Sequence, residues 1–115
     1  MNTPFVEIAT VEALDAFVTE ANGSAAMLFK HSNSCGISAR AYREMSALDL
    51  PVGLVVVQDA RNVSNEIERR WQIDHETPQV LIVKGAELAW NASHFEIKAT
   101  NVSAAFAAVN SEVSN

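Results

Sequence analysis

The order of apolar segments along this 115-residue chain constrains its fold more than any other feature. Short β-prone runs, of which residues 52–57 are the clearest, alternate with segments whose apolar residues recur every three or four positions. An uninterrupted apolar run of this kind is typical of a strand covered by helices on both faces. The resulting order is β-α-β-α-β-α-β-β-α. It predicts a single α/β domain, residues 1–115, with a mixed central sheet flanked by helices on both faces.

Turn residues and capping residues predict the limits of the first elements. Residues 5–8 form a β-prone run, and Thr10 can cap the helix that follows it. Asn22-Gly23, a pair that tolerates the left-handed conformation, ends this helix. Residues 25–30 then predict a buried strand, and residues 31–34 predict a polar loop. A second helix is expected to begin around Cys35, with an inward face formed by Ile37, Ala41, Met45 and Leu48.

The second half of the chain carries a third helix, a hairpin and a last helix. Gly85-Ala86 predicts a tight turn between strands at residues 80–83 and 87–91. The tail after residue 109 is expected to fray. Caps are expected at the starts of the two helices, from Asn62 or Ser64 for the third and from Thr100 or Asn101 for the last.

Charge, hydropathy and cysteine content exclude several classes of function. The formal net charge is −6, which argues against nucleic acid or an anionic membrane as partner, since both require a surplus of Lys and Arg. No apolar run is long enough to cross a bilayer, and residues 1–4 do not resemble a secretory signal. One cysteine and three scattered histidines predict no internal disulfide and no structural metal site. A cytoplasmic location follows most simply.

The lone cysteine, Cys35, lies where a strand passes into a helix. A helix N-terminus presents unpaired N–H groups and a positive dipole end, and both favour the thiolate, which is the attacking species in thiol–disulfide exchange. Ser38, one helical turn later, can donate a hydrogen bond to the sulfur, and Gly36 leaves space for an incoming thiol. The alternative is a buried cysteine that only packs, since cysteine is among the most buried residue types.

Thr77-Pro78 stands directly before the strand that begins near residue 79. A proline at this point can adopt the cis form, as about 5% of such bonds do in folded proteins. The alternative is a trans proline that opens a strand, and the residues alone favour it.

Three separated motifs, together with a shorter fourth segment, resemble the monothiol bacilliredoxins. Residues 29–38 read Phe-Lys-His-Ser-Asn-Ser-Cys-Gly-Ile-Ser and are similar to the active-site segment of that family. Glu-Thr-Pro-Gln-Val at residues 76–80 and Ala-Trp-Asn-Ala-Ser-His at residues 89–94 match at the same spacing, as does Asn-Val-Ser-Asn at residues 62–65. The resemblance covers most of the chain, from residue 25 through the final helix.

The resemblance implies a thioredoxin-like fold in which Cys35 is the attacking thiol and Pro78 is a cis-proline facing it. It implies removal of a low-molecular-weight thiol, bacillithiol or another, from mixed disulfides with proteins. Cys35 would carry the small thiol until a second small thiol or a separate reductase clears it, because the chain has no resolving cysteine. His31, Thr77 and His94 fall within the matching motifs and are the further candidates for contact with the small thiol or the thiolate.

Gly36 departs from the resemblance, because the family commonly has proline after the cysteine. Cys-Gly-Ile-Ser is close to the Cys-Gly-Phe-Ser of monothiol glutaredoxins, which hold a [2Fe–2S] cluster between two subunits with glutathione. Residues 84–90 carry one glycine where those proteins carry a paired-glycine and acidic segment. A cluster carrier, and a thioredoxin-fold adaptor with an incidental cysteine, are therefore the alternatives to an oxidoreductase. Arg40 and Arg43, in the helix after Cys35, are candidates to attract a thiol that bears carboxylates.

Overall fold

The computed structural model describes residues 3–111, and these form a five-stranded sheet with four α-helices in the predicted order. The elements are β1 (Phe5–Glu7), α1 (Val11–Glu20), β2 (Ala26–His31), α2 (Gly36–Ser46), β3 (Val52–Val56), α3 (Arg61–Trp71), β4 (Gln79–Lys84), β5 (Glu87–Ser93) and α4 (Ala99–Ser111). A 3₁₀ turn, His94–Glu96, links β5 to α4.

The strands lie in the order β1-β3-β2-β4-β5. β3 runs parallel to β1 and β2, whereas β4 runs antiparallel to both β2 and β5, so the sheet is mixed as predicted. The register pairs Lys30 with Gln79, and Gln79 with Ser93. The end of β2, the start of β4 and the end of β5 therefore meet at one edge of the sheet.

Two apolar layers cover the faces of the sheet. Phe29 and Ile82 pack against α2 and α4, which contribute Met45 and Val102 to the same cluster. Alternate residues of the same strands point to the opposite face, which α1 and α3 cover. Because every residue of β2 is buried, this strand forms the centre of the molecule and fixes the position of the segment that leaves its end.

Gly53 in β3 has three apolar side chains packed closely over it. A Cβ atom at this position would lie 2.6 Å from Ile8 Cδ1 and 3.0 Å from both Leu28 Cδ2 and Phe17 Cε2. The close packing of Ile8, Leu28 and Phe17 therefore favours a glycine at this position.

The helix starts differ from the sequence-based expectations at two places. α3 begins at Arg61 with Ala60 as its N-cap, so the expected caps Asn62 and Ser64 lie inside the helix. α4 begins at Ala99, before Thr100 and Asn101. The Ala99 N–H donates to Glu44 Oε1 of α2 at 2.8 Å, which means that a side chain distant in sequence performs the capping.

The other differences are small. The inward face of α2 is formed by Ser38, Ala41 and Met45, whereas Ile37 is only half-buried. The hairpin turn lies at Gly85 (φ 58°), as predicted. The tail that was expected to fray stays helical through Ser111, and its remaining residues, 112–115, lie outside the described part. Within residues 3–111, no helix is both long and apolar enough to cross a membrane.

Candidate functional site

Cys35 is the N-cap residue of α2 and is partly exposed. Its backbone is extended (φ −117°, ψ 126°), and its carbonyl accepts the first helical hydrogen bond, from the Ala39 N–H at 3.0 Å. The side chain of Cys35 makes no capping hydrogen bond to α2. The N–H groups of the first turn therefore have no acceptor within the helix and point toward the region of the thiol.

Gln58, which follows β3, holds the loop between β2 and Cys35. Its Nε2 donates to Ser32 Oγ at 2.8 Å and to Ser34 Oγ at 3.2 Å. Its Oε1 accepts from the Asn33 N–H at 3.2 Å. Sequence reasoning missed Gln58, because nothing near it in the sequence indicates a contact with a loop some 25 residues away.

Ser38, in the first turn of α2, is fully buried and forms hydrogen bonds with the same segment. Its Oγ accepts a hydrogen bond from the Ser32 N–H at 2.9 Å and shares a second with His31 Nδ1 at 2.8 Å. The expectation that Ser38 donates to the sulfur of Cys35 is wrong, since no hydrogen bond joins the two within residues 3–111. Ser38 positions the segment before Cys35, and its hydroxyl is already committed there.

His31 is the last residue of β2 and is 8% exposed, so the expectation that it belongs to the polar loop is wrong. Its ring lies 4.9 Å from Tyr42 and 5.6 Å from Phe29, between centroids. Burial lowers the pKa of His31, and the bond to Ser38 only partly opposes this effect. The imidazole is therefore neutral near pH 7 and supplies no positive charge to a thiolate.

Thr77 and Pro78 lie across from the end of β2. The peptide bond between them is cis. Because Lys30 pairs with Gln79 in an antiparallel register, Pro78 lies opposite His31, at the point where the chain leaves the sheet toward Cys35. Pro78 is buried and Thr77 is half-buried.

His94 connects the end of β5 to this proline. Its N–H donates to the Pro78 carbonyl at 3.0 Å, and its Nε2 lies 3.3 Å from Glu76 Oε1. The backbone of His94 has a positive φ of 56°, which turns the chain out of β5. All seven candidate residues, Cys35, Gly36, Ser38, His31, Thr77, Pro78 and His94, thus lie at the same edge of the sheet.

A surface cavity of about 430 Å³ opens beside the loop that precedes Cys35. It lies between α2 and the end of β3, and Asn33, Tyr42 and Arg43 are among the residues that line it. Arg40 instead lies over the exposed ring of Phe95, with its guanidinium carbon 5.6 Å from the ring centroid. Neither arginine takes part in an ion pair within the described residues.

Gly36 is exposed, and a Cβ atom at this position would meet no atom within 4 Å. The position that a side chain at residue 36 would occupy is therefore open space. Within residues 3–111, no group of three or more His, Cys, Asp or Glu side chains is arranged to hold a metal ion.

The comparison with protein families decides which group this site belongs to. The family model of the monothiol bacilliredoxin BrxC matches residues 6–102 of the chain. The chain belongs to the monothiol bacilliredoxin family.

Solved structures place this bacilliredoxin in the thioredoxin fold. A candidate oxidoreductase with a thioredoxin fold superposes with a TM-score of 0.80 at 25% identity, over 88% of this chain and 92% of the other. Thioredoxin from Nicotiana alata gives 0.75 at 9% identity, over 96% of each chain. Thioredoxin from Fasciola hepatica gives 0.73 at 14% identity, over 90% and 97%. The fold and family support a thiol oxidoreductase.

Proposed function

We propose that this bacilliredoxin removes a small thiol of the bacillithiol type from mixed disulfides on proteins. The observation that carries the proposal is the placement of the only cysteine of the chain at the N-terminus of α2, partly exposed and at the edge of the sheet where β4 begins after Pro78. A thiolate at this point can accept hydrogen bonds from the first-turn N–H groups. Family membership supports the choice of substrate class.

The proposed reaction is a thiol–disulfide exchange in two steps. In the first, the Cys35 thiolate attacks the small-thiol sulfur of the mixed disulfide. A Cys35–small-thiol disulfide forms, the bond to the target protein breaks, and the target leaves as a thiolate that takes a proton from solvent. Cys35 is oxidised and the target is reduced, by two electrons in each case.

The second step restores Cys35 with an external thiol, since the chain has no second cysteine. A second small thiolate attacks the small-thiol sulfur of the adduct, which releases Cys35 and forms a disulfide of two small thiols. A separate reductase can perform the same release. We place this cycle in the cytoplasm, where reducing conditions keep free thiols available.

The position of Arg43 supports the proposal that the small thiol bears carboxylates. Arg43 lines the cavity beside the loop before Cys35, and its side chain has no carboxylate partner among the described residues. A cavity of about 430 Å³ falls within the usual size of small-molecule sites, and Arg is well suited to bind a carboxylate through two hydrogen bonds.

Intact-mass measurement tests the proposal. The reduced protein is exposed briefly to oxidised bacillithiol, with oxidised glutathione in parallel and Cys35→Ala as the control. We expect one bacillithiol adduct on the wild type, formed faster than the glutathione adduct, and none on the control.

Equal rates of adduct formation with both disulfides would support the exchange reaction at Cys35 but would contradict a preference for bacillithiol. No adduct with either would contradict the proposal. A coloured dimer after anaerobic reconstitution with iron and sulfide would then favour a [2Fe–2S] carrier, whereas a colourless monomer would favour an adaptor.

A further inference from the structure

Lys30 is an unusual residue for the centre of a sheet. It is fully buried in β2, and its Nζ has no hydrogen-bond partner within residues 3–111. Gln79, its partner in the register with β4, also has an unpaired buried atom, Oε1. An unpartnered buried ammonium is costly, and such groups are retained where they serve a function.

Two carboxylates face Lys30 without touching it. Glu68 of α3 and Glu76 of the segment before Pro78 both favour its charged form, although neither lies within 4.0 Å as an ion pair. Burial outweighs them and lowers the pKa of Lys30 to about 8. The charge of Lys30 also contributes to lowering the pKa of His75, after burial itself. Lys30 thus presents a positive charge to residues 75–76 at neutral pH.

Residues 74–78 are attached to the rest of the site by a chain of contacts. The Asp74 carbonyl accepts from Gln79 Nε2 at 3.1 Å, and the His75 N–H donates to Glu68 Oε2 at 3.3 Å. Glu76 lies 3.3 Å from His94, whose N–H in turn donates to the Pro78 carbonyl. Glu76 therefore contacts His94 and interacts electrostatically with the buried charge of Lys30.

We propose that Lys30 is a positioning residue for exchange at Cys35. Its buried charge attracts Glu76, and through Glu76 and His94 it fixes Thr77 and Pro78 at the edge of the sheet from which the chain continues to Cys35. This inference deepens the proposed function and rests on it. The substrate disulfide must align with the Cys35 sulfur for in-line attack, and small misplacements of the groups that align a substrate slow a reaction strongly.

If Lys30 is a positioning residue, its replacement should lower the rate of adduct formation without lowering the free energy of unfolding. Replacing an incompletely paired buried charge by an apolar side chain of similar volume is often neutral or stabilising. We therefore expect Lys30→Met to be as stable as the wild type or more so, yet to form the Cys35 adduct about tenfold more slowly at pH 7. A merely structural lysine would lower stability and rate together.

The pH dependence of the rate of adduct formation distinguishes the effect of the Lys30 charge from the titration of the Cys35 thiol. The ratio of the wild-type rate to the Lys30→Met rate cancels the titration of Cys35, which both proteins share. We expect this ratio to fall toward one as pH rises through about 8, where Lys30 loses its charge. The other charged groups near this segment, Glu68, Glu76, His75 and Arg61, are present in both proteins.

Matched variants control for the substitution. Lys84→Met makes the same change at the last residue of β4, at the other end of that strand from Gln79. It should leave the rate of adduct formation unchanged. Glu76→Gln removes the proposed partner without entering the core and should slow adduct formation. In a Lys30→Met background it should add little further, because the two residues act through one contact.

Amide hydrogen exchange at residues 75–77 keeps this inference distinct from the proposed function. We expect faster exchange in Lys30→Met than in Lys84→Met, whether or not Cys35 reacts. If the wild type forms no adduct, the proposed function fails and the amide result alone decides whether Lys30 holds the segment. A normal adduct rate, or unchanged amide exchange, in Lys30→Met would overturn the role of Lys30.

Discussion

At the level of single residues, the Ser38 hydroxyl connects the loop before Cys35, the end of β2 and the first turn of α2. It receives the Ser32 N–H of the loop and bonds the His31 ring of β2, while its own backbone belongs to the first turn of α2. Because these groups are buried, each needs its partner. The position of Cys35 therefore depends on a residue that does not touch its sulfur.

Ser38→Ala should lower the free energy of unfolding by about 1–3 kcal/mol, because it leaves the buried Ser32 N–H without an acceptor. Denaturant unfolding measures this change. Ser46→Ala is the matched control, since Ser46 is on the same helix and its hydroxyl donates to the Arg43 carbonyl at an exposed position. Equal effects of the two substitutions would contradict the role assigned to Ser38.

At the scale of elements, the N-terminus of α2 is already shaped for a proline at position 36. Gly36 is the first helical residue, and Cys35 before it has the extended backbone that a following proline requires. Nothing within 4 Å obstructs an added side chain. The departure of Gly36 from the family pattern is therefore not imposed by packing.

Gly36→Pro should raise the free energy of unfolding by about 0.4–1 kcal/mol, because it restricts the unfolded chain without straining the folded one. Thermal or denaturant unfolding tests this, with Gly36→Ala as the control that keeps the N–H group. If both variants are stabilised but only Gly36→Pro reacts more slowly, the N–H of residue 36 assists the thiolate. A destabilised Gly36→Pro would be inconsistent with the open geometry described here.

Element order was predictable from the sequence, whereas contacts distant in sequence were not. The uninterrupted apolar run at residues 52–57 and the glycine at position 85 reflect local physics, so they correctly predicted β3 and the hairpin. The predicted start of α4 was wrong because the helix is capped by Glu44, which lies on another helix. Gln58 and Lys30 were missed for the same reason, since their roles depend on contacts that only the folded chain creates.

At the scale of the whole molecule, buried basic groups set how stability changes with pH. Burial lowers the pKa values of Lys30, His31 and His75 below their ordinary values. In each case the unfolded chain binds more protons than the folded one within the window between the two pKa values. Stability therefore rises with pH across each window and falls as pH is lowered.

The free energy of unfolding should fall as pH is lowered below about 6.5, through the range of His31 and His75. It should also rise between pH 8 and 10.5, because folded Lys30 is already neutral there while unfolded Lys30 is still charged. Denaturant titrations at successive pH values check both trends. The alkaline rise should disappear in Lys30→Met, and a rise that persists in this variant would show that another group causes it.

Transfer of a small thiol from a protein to Cys35 is the direct test of the proposed exchange reaction. A target protein carrying one bacillithiol in a mixed disulfide is mixed with the reduced protein, without any other thiol, and both intact masses are followed. We predict that the bacillithiol mass leaves the target and appears on the wild type in equal amount, but not on Cys35→Ser. A target that keeps its bacillithiol, or a disulfide between Cys35 and the target itself, would contradict the account.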